Sequence, residues 1–273
     1  MSRTLGIRHN KVKKNKEEVI ILANGPSLKT ELEDPGFIKK IKQLDTLCVN
    51  HFSSSDYFKV IKPNYYVIAA PELWQKETTE AYQQARLKLF HEMASEVDWN
   101  MTLMLPFQAK KVRFWQEILR ENKNIQLLYY NITALEGFEG ITHYLYRKKL
   151  GMPRIHNVLG PSIMNMIWLN YQKIYLVGVD HSWIPLISVT EENVALVGQP
   201  HFYDKNVKPE IMNKSSAGSR KLHEILHKFY LTFKGYFIIK RFSEKRKVQI
   251  INLTKNSYID SFKREDIRKW KEE

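Results

Sequence analysis

Two short segments of the 273-residue sequence place a histidine close to a carboxylate. In "GVDHSW" Asp180 and His181 are adjacent, and in "QPHFYD" His201 precedes Tyr203 and Asp204. An imidazole that is oriented by a carboxylate can act as acid and base in turn. A purely structural Asp–His pair explains "GVDHSW" equally well, so the sequence leaves both interpretations open.

A third segment, "ILANGPSLKT", has the composition of a strand, a tight turn and the start of a helix. Gly25 permits a turn that other residues resist, and Pro26 suits the first turn of a helix because its missing N–H costs nothing there. Ser27 can cap the helix or bind an oxyanion at the positive end of the helix dipole. The segment therefore predicts either a phosphate or nucleotide site or a simple capped turn.

Small polar residues mark two further turns. Asn50 ends the strand-like run "TLCVN", and its amide can satisfy loop backbone or contact a base or ribose. Gly160 and Ser162 begin a second helix, where they predict either another wall of a nucleotide site or another capped helix.

His223 and His227 are four residues apart but lack an H-E-x-x-H pattern, so we interpret them as surface or packing residues and predict no metal site.

The segments around these residues alternate between strand-like and helix-like patterns, which predicts an α/β domain with a largely parallel sheet. Because ligands bind at the carboxyl ends of strands in such sheets, Asn24, Asn50, Pro71 and Asp180 should converge on one crevice. Strands are expected at 19–24, 46–50, 65–70, 101–106, 125–130, 173–179 and 248–253, and helices at 28–43, 77–97, 108–121, 161–171 and 218–233.

One domain is expected over residues 18–265, between a flexible basic arm (1–17) and a C-terminal tail (266–273). Residues 131–157 and 181–217 do not follow the alternation, and long irregular segments in compact domains are usually functional, so both are expected to be lids.

No run approaches the roughly 20 apolar residues that span a bilayer. The N-terminus also lacks the apolar core of a signal peptide, and the single Cys48 excludes a disulfide framework, so a cytoplasmic location is expected.

The chain is strongly basic, with 43 Lys and Arg against 29 Asp and Glu and a net charge of +14. Basic residues cluster at 11–16, in "YRKKLGMPR" and in "IKRFSEKRK". Such a field attracts nucleic acid, anionic lipid head groups or phosphorylated substrates, and a merely solvated basic surface is an equally good interpretation.

The segments "VIILANGPSL", "LCVNHF" and "YQKIYLVGVDHSW" occur in this order and together resemble the bacterial sialyltransferase family, which uses CMP-sialic acid to decorate lipooligosaccharide. They resemble even more closely a group of relatives of unknown function that also contains 6-hydroxymethylpterin pyrophosphokinase-like proteins. In that group the strand ending in "GVDH" is followed by a segment like "HFYDKNVKP" and a late stretch like "VQIINLTKNSYIDSF". The similarity covers roughly residues 18–265 as ordered islands, with 75–155 largely unmatched.

This resemblance implies a modified Rossmann-type fold, a variant of the GT-A glycosyltransferase fold, with a lid over the donor and metal-independent, inverting transfer without a cofactor. It implies that Asn24, Gly25, Ser27 and Asn50 hold a cytidine nucleotide. The expected partners are a nucleotide-sugar donor, with a CMP-activated nonulosonic-type sugar favoured, and a glycan or glycolipid acceptor in surface polysaccharide assembly. Peripheral contact with an anionic inner membrane is also expected, and nucleic acid is not.

The chain departs from the sialyltransferase pattern at two places. It reads Ala70-Pro71-Glu72 where those enzymes carry an asparagine before the proline, and it has Asn213 near the position of their catalytic histidine. His201 matches a lid tyrosine instead. We therefore assign the base to His201 or His181, with Asp180 expected to orient the histidine and Tyr203 to hydrogen-bond the departing phosphate.

Two alternatives remain open at the level of sequence. The first is an ATP-dependent diphosphokinase that acts on a pterin alcohol, although no carboxylate pair suited to two metal ions is evident. The second is a basic protein that binds nucleic acid or membrane on a degenerate fold, although the basic residues form no recognisable nucleic-acid motif. Basic residues of the first lid, including Lys148, Lys149 and Arg154, are expected to meet an anionic acceptor or membrane.

Overall fold

The computed structural model describes residues 12–204, 209–212 and 218–272. Its strands form two sheets, one of eight strands and one of three. In chain order the strands are β1 (Glu18–Leu22), β2 (Asp45–Val49), β3 (Tyr65–Val67), β4 (Met101–Pro106), β5 (Ile125–Tyr130), β6 (Lys173–Val177), β7 (Ile187–Val189), β8 (Ala195–Val197), β9 (Glu210–Ile211), β10 (Gln249–Asn252) and β11 (Lys263–Arg264).

The helices vary from a single turn to the 24-residue α9. They are α1 (Leu28–Leu32), α2 (Pro35–Ile41), α3 (Tyr57–Ile61), α4 (Pro71–Trp74), α5 (Glu80–Glu96), α6 (Phe114–Leu119), α7 (Glu139–Arg147), α8 (Leu159–Trp168), α9 (Leu222–Lys245) and α10 (Ile267–Glu272). Short 3-10 helices lie at Asn50–Ser54, Phe107–Lys111 and Ile184–Leu186. Across the described ranges, no helix has the length and apolar character needed to cross a bilayer.

The large sheet is parallel throughout, with the strand order β11-β10-β6-β1-β2-β3-β4-β5. From β1 the chain builds outward to β5 and then returns to place β6, β10 and β11 on the other side of β1. This change of direction creates a switch point between β1 and β6, the position at which open α/β sheets commonly bind their ligands. The expected α/β class with a mostly parallel sheet is confirmed, and the arrangement is consistent with a Rossmann-like fold.

Both faces of the large sheet are covered by helices, because successive side chains of a strand point to opposite faces. In β1, Ile20 and Leu22 belong to the core beneath α1, α2, α5, α6 and α10, whereas Val19 and Ile21 belong to the core beneath α7, α8 and α9. The strand therefore reads as a continuous apolar run, with no polar side chain between its buried residues.

All seven strands that the sequence predicts are present in the large sheet, and the helices differ mainly in their ends. The helix expected over 28–43 is divided at Pro35, where the Asp34 side chain accepts a hydrogen bond from the Gly36 amide and begins α2. The helix expected over 108–121 is a 3-10 helix followed by α6, and the one expected over 218–233 continues to Lys245.

The two expected lids differ in structure. The segment 131–157 is irregular only in part, because it contains α7, whose Tyr146 is fully buried against Phe242 of α9. The segment 181–217 carries β7, β8 and β9, which pair in an antiparallel sheet. Residues 205–208 and 213–217 of this segment, including Asn213, lie outside the described residues.

The expected flexible arm and tail are attached to the domain where they are described. Asp45 Oδ2 accepts hydrogen bonds from the backbone amides of Asn15 (2.8 Å) and Lys16 (3.0 Å), which holds residues near 12–17 against β2. At the other terminus, Trp270 of α10 is 3% exposed and packs on Tyr175. Residues 1–11 and 273 lie outside the described residues.

Candidate functional site

The turn after β1 is closed by the carboxylate of Asp180, which follows β6. The Ser27 amide donates to Oδ1 of Asp180 (3.1 Å) and the Ser27 hydroxyl donates to Oδ2 (2.8 Å), while the Gly25 amide donates to Gly178 O (2.8 Å). A Cβ at Gly25 would lie only 2.0 Å from Asp180 Oδ2. Gly25 does not adopt a left-handed backbone, so it is required here for this close approach and not, as expected, for the turn conformation.

Asp180 therefore occupies the position at which the sequence predicts a bound phosphate. Burial raises the pKa of the Asp180 carboxyl, and the two hydrogen bonds from Ser27 act in the opposite direction. The hydrogen bonds between Ser27 and Asp180 are those of the capped-turn interpretation of "NGPS", and the nucleotide interpretation of this segment stays a prediction. Pro26 is exposed beside this turn.

His181 lies in a hydrogen-bond network whose donors and acceptors can be assigned. Asn157 Oδ1 accepts from the amides of Leu159 (3.2 Å) and Gly160 (3.4 Å), so its Nδ2 must be the end that faces Tyr236 Oη (2.6 Å) and His181 Nε2 (3.1 Å). The Tyr236 hydroxyl accepts from this amide and donates to His181 Nε2 at 2.7 Å. Nε2 is thus an acceptor, and the ring proton resides on Nδ1.

These contacts oppose the prediction that His181 is a free base oriented by Asp180. The ring packs against Trp183 and Phe233, and burial lowers the pKa of His181 to about 3. Its accepting nitrogen is already occupied by Tyr236, and the Asp180 carboxylate is bonded to Ser27 instead. His181 also adopts a left-handed backbone, with φ of 54°.

His201 has the carboxylate partner that His181 lacks. Its Nδ1 lies 3.1 Å from Asp204 Oδ2, which also accepts from the His201 backbone amide at 2.8 Å. When Nδ1–H donates to this carboxylate, Nε2 is left as the basic nitrogen, the arrangement that a general base requires. The two side chains are 41% and 31% exposed, so the pair is accessible to a ligand.

The segment that carries this pair is attached to the carboxyl end of β1. The Phe202 amide donates to Asn24 O (2.9 Å), and the Phe202 ring packs on Phe52, with 5.4 Å between ring centroids. Tyr203 stacks on His201 at 5.1 Å with an interplanar angle of 5°. Burial raises the pKa of Tyr203, as does the Asp204 charge, while the Asn24 side chain lowers it, so the phenol keeps its proton and remains a hydrogen-bond donor.

The two predicted asparagines have different roles. Asn24 Nδ2 donates to Val49 O at 3.3 Å, and its buried Oδ1 accepts no hydrogen bond within the described part of the chain. Asn50 adopts a left-handed backbone with φ of 46°, and its Oδ1 accepts from the Ala69 amide at 3.4 Å. Asn50 thus satisfies loop backbone, which is one of the two interpretations that the sequence allows.

His51 is a further member of this cluster that the sequence interpretation did not assign. Burial lowers the pKa of His51, the charge of His201 lowers it further, and Glu92 of α5 acts in the opposite direction. The contact between Phe52 and Phe202, which directly follow the two histidines, places His51 near His201, although 150 residues separate the histidines in the sequence. The only sequence signal was the position of His51 directly after Asn50 at a strand end.

The predicted second wall of a nucleotide site is wrong. Gly160 and Ser162 are buried in α8, and the Ser162 hydroxyl donates to Val158 O within its own helix at 2.8 Å. A Cβ at Gly160 would lie 2.8 Å from Ile155, so the glycine allows close packing. The small residues of this helix start therefore serve the core.

The described geometry thus brings together Asn24, His51, His201, Tyr203 and Asp204 at the carboxyl ends of β1 and β2. A scan of the sequence against protein-family models found no match, and a search of curated proteins found no significant relative. We call the five residues Asn24, His51, His201, Tyr203 and Asp204 the strand-end cluster.

Proposed function

We propose that the chain is a glycosyltransferase that moves a sugar from a nucleotide donor to a glycan or glycolipid acceptor in surface polysaccharide assembly. The observation that carries this proposal is the His201–Asp204 pair, which lies beside Asn24 where an open α/β sheet binds its ligands. The proposed fold is the GT-A variant that the sequence resemblance implies, with the segment 181–217 covering the donor.

In the proposed reaction His201 is the general base. Its Nε2 takes the proton from an acceptor hydroxyl while the hydroxyl oxygen attacks the anomeric carbon of the donor sugar. The bond from that carbon to the donor phosphate breaks, and its electron pair leaves with the nucleotide phosphate. A single displacement of this kind inverts the configuration at the anomeric carbon.

The other members of the strand-end cluster fit supporting roles. Asp204 holds the His201 ring through Nδ1 and stabilises the imidazolium that forms. The protonated Tyr203 phenol is a donor for the charge that develops on the leaving phosphate. The buried Oδ1 of Asn24 is an acceptor for a hydroxyl or amino group of the nucleotide.

A CMP-activated nonulosonic-type sugar is the proposed donor, on the resemblance of "NGPSL" and "GVDH" to CMP-sialic acid-dependent enzymes. The transfer is proposed to need neither metal nor cofactor, with charge on the leaving phosphate met by hydrogen-bond donors and basic side chains. The proposed location is the cytoplasm, where nucleotide sugars are used, and no nucleic-acid partner is proposed.

The proposal is tested by turnover of a CMP-activated nonulosonic sugar, together with melting shifts in CMP, UDP, GDP and ATP with and without magnesium. We expect stabilisation by CMP and a loss of kcat of about 100-fold to 10,000-fold in His201→Ala, the usual contribution of a general base. His223→Ala, which removes an exposed imidazole from α9, is the matched control and should retain activity. Stabilisation by none of the nucleotides would contradict the proposal.

A further inference from the structure

Two basic residues meet where the small sheet packs on α9. Met212, which directly follows β9, accepts a hydrogen bond from the Arg220 amide at its carbonyl oxygen (2.8 Å), and its Sδ lies 3.7 Å from Lys228 Nζ of α9. Both Arg220 and Lys228 are half-buried. Met212 therefore connects the backbone of Arg220 to the ammonium group of Lys228.

A histidine from the loop before α8 adjoins this pair. The His156 amide donates to Thr232 Oγ1 at 3.3 Å, and this hydroxyl donates to the carbonyl oxygen of Lys228, one turn earlier in α9, at 3.0 Å. A Cβ at Gly235 would lie 2.3 Å from Ile155 Cγ1, so the glycine lets the loop lie directly on the helix. His156 itself is exposed, so the group can be reached from solvent on that side.

We call Arg220, Lys228 and His156 the basic cluster. Across the described ranges none of the three forms an ion pair with a carboxylate, and the thioether of Met212 is the only acceptor within hydrogen-bond distance of Lys228 Nζ. Nε of Arg220 is buried, and it has no hydrogen-bond partner within the same ranges. A thioether is a weak acceptor, so these donors lack the partners that buried charged groups normally have.

The positive charges of the basic cluster also repel one another. Burial lowers the pKa of the Lys228 ammonium, the Arg220 charge lowers it further, and Glu72 of α4 acts in the opposite direction. Partial burial lowers the pKa of His156, and four positive charges lower it further, those of Lys228, Arg154, Arg220 and His227. Like charges held together in this way cost stability, and a bound anion would offset that cost.

We propose that the basic cluster binds a phosphate group, either the free ion or the phosphate of a small phosphomonoester. The planar guanidinium of Arg220 offers a fork of donors that matches two oxygens of a phosphate, and the Lys228 ammonium and the His156 ring offer further donors. A phosphomonoester carries about two negative charges at neutral pH. It therefore offsets the charges of Arg220 and Lys228 together, whereas a carboxylate offsets only one of them.

The basic cluster is distinct from the basic residues that the sequence analysis assigns to an anionic acceptor or membrane. Arg154, which belongs to that set, forms an ion pair with Glu136 at 3.1 Å. The basic cluster also shares no residue with the strand-end cluster, so this proposal goes beyond the proposed transfer reaction and does not depend on it. It adds to the fold a site for a small phosphorylated ligand.

The test is calorimetric titration of the full chain with inorganic phosphate and with glucose 6-phosphate, in a buffer free of phosphate and sulfate. We expect Arg220→Gln and Lys228→Met to bind inorganic phosphate at least about tenfold more weakly than the wild type, because each variant loses a charge-assisted hydrogen bond. Lys234→Gln, which removes an exposed positive charge from α9, is the matched control and should bind phosphate as the wild type does. Tighter binding of glucose 6-phosphate than of the free ion would assign the site to a phosphomonoester, and equal or weaker binding would assign it to the free ion.

Melting temperatures check that each variant is folded and supply a second measurement. Without phosphate, Lys228→Met should melt at or above the wild-type temperature, because the variant relieves the repulsion between Lys228 and Arg220. Added phosphate should raise the melting temperature of the wild type and leave that of Lys228→Met nearly unchanged. No binding of phosphate by the wild type, or the same affinity in the wild type, Arg220→Gln and Lys228→Met, would overturn the proposal. Donor turnover by His201→Ala reports separately on the proposed function.

Discussion

Asp180 is next to His181 in the sequence, but its carboxylate is hydrogen-bonded to Ser27 instead of the histidine. Its carboxylate spans the switch point between β1 and β6 and accepts both hydrogen bonds of Ser27. This arrangement leaves no room for a side chain between the two loops, and Gly25 meets that requirement because it has no Cβ. The proposed base, His201, is oriented by Asp204, three residues away in its own segment.

A methyl group at Gly25 should therefore destabilise the protein. We expect Gly25→Ala to lower the free energy of unfolding by about 1–3 kcal/mol, because the new Cβ would overlap Asp180 Oδ2 and the loops would have to separate. Urea unfolding at neutral pH measures the change. Gly140→Ala is the matched control, since no atom lies within 4 Å of its Cβ position in α7, and it should be neutral or stabilising.

The lowered pKa of His181 predicts how the free energy of unfolding depends on pH. Its pKa in the folded protein is lowered to about 3 from the ordinary histidine value of about 6.5, so the unfolded chain binds its proton first as the pH falls. The stabilising contribution is complete above about pH 6.5 and is lost progressively as the pH falls toward 3. His181→Asn, which tolerates the left-handed backbone, should lose less stability between pH 7 and pH 5 than the wild type.

Urea unfolding of both proteins at the two pH values measures this difference. His51, His143 and His156 also have lowered pKa values and titrate in both proteins, so only the difference between the slopes is informative. Equal slopes would show that His181 does not remain neutral in the fold.

At the level of secondary-structure elements, the strands were predictable and the connections were not. A parallel sheet that is covered on both faces produces continuous apolar runs, and such runs identify β1, β2, β3, β4 and β6 from the sequence alone. The helix α7 was missed because its nine residues include Gly140 and lie in a segment rich in aromatic and basic residues. Its exposed side carries Ile141 and Tyr144, where a surface helix normally has polar residues. The site was predicted in part, because strand ends indicate where residues meet but not which carboxylate accepts from which donor.

The helix α10 belongs to the core, although the sequence analysis expects a tail at 266–273. Trp270 of α10 is 3% exposed and packs on Tyr175 and Phe37, while Lys271 pairs with Asp34 at 2.6 Å. We expect Trp270→Ala to lower the free energy of unfolding by about 3–5 kcal/mol, as for other buried large aromatic residues. Lys269→Ala, an exposed substitution in the same helix, should change it by less than about 0.5 kcal/mol. A similar loss in both variants would indicate a general effect on helix formation.

For the molecule as a whole, the proposed chemistry lies at one edge of the large sheet. The strand-end cluster is at the carboxyl ends of β1 and β2, whereas the helical layers cover the two faces of the sheet. The net charge of +14 concentrates anionic partners of every kind near the protein, so binding of an anionic partner alone does not indicate an enzyme.

The measurement that distinguishes an enzyme from a basic binding protein is donor turnover by His201→Ala, compared with the wild type and with His223→Ala at saturating donor. We predict that kcat in His201→Ala falls by at least about 100-fold while the CMP-induced melting shift is retained, because the variant loses a proton acceptor and keeps the nucleotide contacts. Turnover by His201→Ala at the wild-type rate, with the same melting shift, would contradict the assignment of His201 as the base.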